Sequence, residues 1–74
     1  MNLVIVDGTI CSNIEPIQSD RRVRVRFLLR TASGGDIQVE ARGSGAEKLR
    51  KDFNPGDTIH LRGRLSSGGF ISAD

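Results

Sequence analysis

Seventy-four residues make one small domain, and a chain of that size buries only about 60% of its unfolded surface, so a disulfide, a metal or a partner chain would help it fold. With 36% hydrophobic residues, 27% charged residues, a net charge of +2 and three aromatics (Phe27, Phe53, Phe70), the composition excludes a disordered acidic tail, a collagenous repeat and a disulfide scaffold. No apolar run approaches the roughly 18 residues of a membrane span, MNLVIVDG lacks the basic region of a secretory signal, and Cys11 has no second cysteine to bridge, so a cytoplasmic protein with no membrane partner is expected.

Period-2 alternation dominates the chain. Residues 3–11 (LVIVDGTIC) read as a strand that is apolar on both faces at its start, with Gly8 at a bulge or close approach. In residues 22–30 (RVRVRFLLR), Val23, Val25, Phe27 and Leu29 take one face and Arg22, Arg24, Arg26 and Leu28 the other. TASGG then reads as a hairpin turn, and residues 36–42 (DIQVEAR) place Ile37, Val39 and Ala41 inward against Gln38, Glu40 and Arg42 outward. The period changes at residues 45–53, where Ala46, Leu49 and Phe53 form one stripe of a short helix. Ser44 is its expected N-cap, with Glu47 completing a capping box. Asn54-Pro55-Gly56-Asp57 turns the chain. Residues 58–65 (TIHLRGRL) restore period 2, with Ile59, Leu61 and Leu65 inward, His60, Arg62 and Arg64 outward, and Gly63 where a barrel bends sharply. SSGG turns again, and FISAD begins a short last strand.

The order is β-β-β-α-β-β, an all-β domain with one short helix between the third and fourth strands. That is the order of the small five-stranded Greek-key OB barrel, and an SH3-like barrel rarely carries a helix at this point. FISAD only begins a short last strand, so the barrel is expected either to be completed by another chain or to stay partly open. A homo-oligomer, dimer or tetramer, follows from that unpaired edge and the small core.

Nine of the eleven cations are arginine, and five of those fall in the acid-free stretch 21–30. Arginine suits bidentate contact with phosphate and stacking on bases. Arg22, Arg24 and Arg26, together with Arg42, Arg62 and Arg64, are therefore candidates for a positive groove that tracks a nucleic-acid backbone. The competing reading is a solvated face that Glu40 partly neutralises across the hairpin, with Leu28 marking a subunit contact. His60 reads as solvated and Cys11 as a small packed hydrophobe, and the two are too few for a zinc site. One histidine supports no catalytic triad, and GSGAEK lacks the ending of a phosphate loop. Neither enzyme activity nor a cofactor is expected.

Three segments resemble the bacterial-type single-stranded DNA-binding (SSB) family, and the resemblance covers nearly the whole chain. They are the opening MNLVIVDGTICSNIEP, FLLRT at 27–31, and RGSGAEKLRKDFNPGDTIHLRGRL at 42–65. The last is similar to that family's helix-turn-strand block at Gly43, Ala46, Glu47, Leu49, Gly56, Asp57, Ile59, Leu61, Gly63 and Leu65. The resemblance implies an OB fold and largely sequence-independent binding of single-stranded nucleic acid, DNA above all, with bases stacked on aromatics. Phe70 falls where the family places one such aromatic. Two others are replaced, by Asp36 and Arg42, which leaves a reduced stacking platform. Each missing stack is worth roughly 1–3 kcal/mol. Two alternatives stay open: an OB module that binds another protein in replication or priming, and a shortened OB fragment without nucleic-acid binding.

Overall fold

The computed structural model describes residues 3–17, 23–66 and 69–73. Its elements run β1 (Val4–Ile10), β2 (Glu15–Pro16), β3 (Arg24–Thr31), β4 (Asp36–Arg42), α1 (Ser44–Asp52), β5 (Thr58–Leu65) and β6 (Ile71–Ala73). The alternation works as the sequence implies. Val25, Phe27, Leu29, Val39 and Ala41 are buried, while Arg26, Leu28, Arg30 and Arg42 on the intervening positions are exposed. The β3–β4 ladder runs unbroken from Arg24 opposite Arg42 to Arg30 opposite Asp36, and the turn between them closes through Thr31 and Gly35.

The strands form a closed ring, β1–β5–β6–β4–β3 and back to β1. β1 serves two ladders: Val4–Thr9 pairs with β5 and Gly8–Ile10 pairs with β3. Gly8 lies where the two ladders overlap, and a side chain there would meet the Arg30 carbonyl oxygen at 2.6 Å and Leu29 Cγ at 2.8 Å. β6 shuts the ring by pairing parallel to β4 and antiparallel to β5. The expectation of an incomplete barrel is thus corrected: three residues suffice, because Ile71–Ala73 bond to a strand on each side. The unpaired edge that motivated oligomerisation is absent from the ring.

β2 was not foreseen. It covers the outer edge of β3 at Val25 and Arg26, beyond the reach of β1, and its Pro16 suits an edge position. Cys11 and Ser12 bridge the gap: the Cys11 amide donates to the Leu28 carbonyl, and the Leu28 amide donates to Ser12 Oγ at 2.8 Å.

The core comprises Ile10, Val25, Phe27, Leu29, Val39, Ala41, Ala46, Leu49, Ile59, Leu61 and Ile71, and among the described residues it includes no polar side chain. Ala46 and Leu49 of α1 plug one end of the barrel, with half-buried Phe53 packed beside them. No helix among the described residues is long and apolar enough to cross a membrane.

Two local expectations are corrected. Leu65 is 53% exposed although it continues the inward row of β5. Among the described residues the β1 ladder ends opposite Gly63, and Leu65, paired with Ile71 of β6, lies at the open rim of the barrel and lines a surface groove instead of the core. The helix is capped by Gly43, not Ser44. Gly43 sits at φ 67°, its carbonyl accepts from the Glu47 amide, and no side-chain cap forms. The Gly43 amide also bonds the Val23 carbonyl, so the chain passes from strand to helix in a single residue. Ser44 is already helical and cannot supply the extended N-cap geometry.

Candidate nucleic-acid interface

Register determines which outward side chains become neighbours. One row crosses the sheet through Glu15 of β2, Arg26 of β3, Glu40 of β4, Ser72 of β6 and Arg64 of β5. Beside it, Arg24 stands directly opposite Arg42. Like charges facing each other across a ladder destabilise it, and here the relief comes from Glu40, whose Oε1 accepts from Arg24 Nη2 at 3.0 Å.

These side chains line an open groove of about 380 Å³ formed by Arg24, Glu40, Ala41, Arg42, Arg64, Leu65, Ser66, Phe70 and Ser72. Its lining has three guanidinium groups against one carboxylate. Phe70 is half-buried at the base of the β5–β6 hairpin, where the Ser66 amide donates to the Phe70 carbonyl at 2.7 Å. Phe70 immediately precedes β6, and with Ser72 it lines the same groove as the arginines.

Of the residues expected to form the site, the fold therefore gathers Arg24, Arg42, Arg64 and Phe70. Arg26 does not line the groove and stands in register between Glu15 and Glu40. Arg62 stands opposite Ile5 of β1 and lines a separate, largely apolar cavity of about 350 Å³ with Leu49, Phe53, Ile59 and Leu61. Arg22 lies outside the described residues. Sequence reading missed Ser72 and Leu65 as groove walls, because both reach it only through the pairing of β6.

The remaining reactive groups are local. His60 pairs with Asp7 across the β1–β5 ladder, both largely exposed. Cys11 Sγ donates to the Leu28 carbonyl at 3.4 Å. Among the described residues no three histidine, cysteine, aspartate or glutamate side chains gather as a metal-ligand set.

At the hairpin end of the same sheet face, Arg30 grips Asp36 with Nε–Oδ1 at 2.9 Å and Nη2–Oδ2 at 3.3 Å. That hydrogen bonding, reinforced by the guanidinium charge, holds the Asp36 carboxyl below its ordinary range. A carboxylate whose folded pKa is depressed stabilises the fold at neutral pH and loses that contribution as pH falls through its folded pKa. Both partners are exposed, so the effect is small. Asp36→Asn is expected to lower the urea midpoint slightly at neutral pH, with the gap to the parent closing in acid. Parallel urea titrations across that range check it, and a gap that persists in acid would contradict the assignment.

No protein-family model matches the sequence, and no curated protein matches it. Solved structures do. The SSB domain of a Synechococcus sp. protein superposes with a TM-score of 0.90 at 17% identity, over 100% of this chain and 91% of that one. The second single-stranded DNA-binding protein (SSBb) of Mycobacterium smegmatis gives 0.84 at 16% identity, over 99% of this chain and 81% of that one. At such identities the likeness establishes the fold: this chain has the OB barrel of those domains, with the helix between β4 and β5.

Proposed function

We propose that this chain binds single-stranded DNA in the groove between β3, β4, β5 and β6, without requiring one sequence. The observation that carries the reading is the facing pair Arg24 and Arg42 with Arg64 in the same groove, three cations lined up with one carboxylate, which is bonded to Arg24. Such a cluster is unfavourable in the free protein and is relieved by phosphate oxygens, which guanidinium groups bind bidentately. Phe70 supplies an apolar face on which a base can stack, and stacking tolerates every base because each has a π-face. One neighbour in fold is named a single-stranded DNA-binding protein and the other an SSB domain, which supports the same reading.

Fluorescence polarisation of a labelled oligo-dT, titrated at low and moderate salt with duplex of equal length as control, tests it. Binding that favours the single strand and weakens steeply with salt is the expected result. Equal binding to duplex would reduce the groove to a general cationic patch. No binding at low salt would leave the arginine face without this role.

A further inference from the structure

We infer that Glu40 makes the groove read base edges, so that it favours cytosine over thymine. The inference rests on the single-strand reading and names which strands the site takes best. A carboxylate in a groove for a polyanion repels the ligand's phosphates, and relieving the Arg24–Arg42 repulsion occupies only one of the Glu40 oxygens. Glu40 is also far from a solvated surface acid, since its side chain is only 13% exposed. One oxygen, Oε1, is committed to Arg24 at 3.0 Å. The other, Oε2, has Gln38 Nε2 at 3.5 Å, the outer limit of a hydrogen bond. An acceptor with spare capacity thus lines the groove.

Its position suits a base edge. Glu40 stands in register with Ser72 of β6, and Phe70, two residues before Ser72 and just ahead of that strand, lines the same groove. The aromatic ring and the carboxylate therefore line one groove. A pyrimidine stacked on Phe70 turns its edge toward Glu40. Cytosine offers an exocyclic amine there, which a carboxylate accepts. Thymine offers a carbonyl oxygen at the same position, and two acceptors then face each other unpaired. The two bases are close in size and stack on Phe70 to similar extents, so the edge decides.

Competition of oligo-dC and oligo-dT of equal length for the protein, at mildly alkaline pH where cytosine is uncharged, tests the inference. The expected result is tighter binding of oligo-dC by about tenfold, the worth of one charge-assisted hydrogen bond against an unpaired acceptor. A strand of N4,N4-dimethylcytosine, with no amine proton to give, should fall to the oligo-dT level. That arm needs no altered protein and holds even where a Glu40 variant folds poorly. Glu40→Gln should bring the two strands near parity, chiefly by raising oligo-dT affinity, because the repulsion is gone and Arg24 is freed. Glu15→Gln, outside the groove, should keep the preference. Equal binding of oligo-dC and oligo-dT by the parent, or a preference that survives Glu40→Gln or dimethylation, overturns the role of Glu40 and leaves the groove reading intact. Failure to bind either strand is a different outcome and removes both.

Discussion

Gly63→Ala is expected to destabilise this domain by about 3 kcal/mol or more, the upper part of the range for overpacking. A methyl group at Gly63 would lie 2.4 Å from the Ser72 carbonyl oxygen and 3.0 Å from Ala73 Cα. Both are backbone atoms of β6, and no side-chain rotation can remove the clash. β6 must move, and β6 is the three-residue strand that closes the ring between β4 and β5. Displacing it breaks a ladder on each side and uncovers Ile71, which is only 2% exposed in the closed barrel. A domain of this length has a total stability of about 4–11 kcal/mol, so the loss is a large share of it. Urea unfolding followed by far-ultraviolet circular dichroism measures the effect. Gly35→Ala is the control: its nearest atom is Thr31 Oγ1 at 4.0 Å, and it should stay within about 0.5 kcal/mol of the parent. Equal midpoints for the two variants would mean that β6 does not close the ring as described.

That strand also marks where the sequence stopped being legible. Alternation in 22–30 and 36–42 was readable because each inward residue has one interior to face, and Val25, Phe27, Leu29 and Val39 all found it. Gly8 was readable as a bulge or close approach and Gly63 as a bend, because a missing side chain in an alternating row needs a steric reason. Closure was not readable. Three residues carry too little periodicity, and the parallel pairing of Ile71 with Val39 joins positions far apart in the chain. The two residues of β2 were hidden for the same reason of length, and with them the placement of Glu15 beside Arg26.

The candidate site divides along the same line. Arg24 facing Arg42 follows from the hairpin turn, which is local. Arg62 and Arg64 look equivalent in sequence, since both occupy outward positions of one strand. The ring separates them: Arg62 is paired opposite Ile5 of β1, Arg64 opposite Ser72 of β6. Only the second pairing lies on the side of the barrel that carries Phe70. Alternation tells inside from outside, but on a closed barrel the outside has several directions.

The division of the arginines yields the second large effect. The triple substitution Arg24→Gln/Arg42→Gln/Arg64→Gln is expected to weaken oligo-dT binding by about a hundredfold or more at low salt and to flatten the salt dependence. Each phosphate contact on a single strand contributes a slope of about 0.7 in the log–log plot, so losing three should reduce its magnitude by about 2. Arg26→Gln/Arg62→Gln removes two cations outside the groove and should change the slope by well under that. Phe70→Ala should cost about 1–3 kcal/mol of binding at every salt concentration with the slope unchanged, because stacking releases no counterion. Stability supplies the cross-check. Arg24 and Arg42 repel one another across their ladder, so Arg42→Gln relieves strain in the free protein while leaving the Arg24–Glu40 ion pair in place. It should bind less and melt no lower. A residue held for the fold would show the reverse, lower melting with binding retained, and that result at Arg42 would move the groove from ligand contact to scaffold.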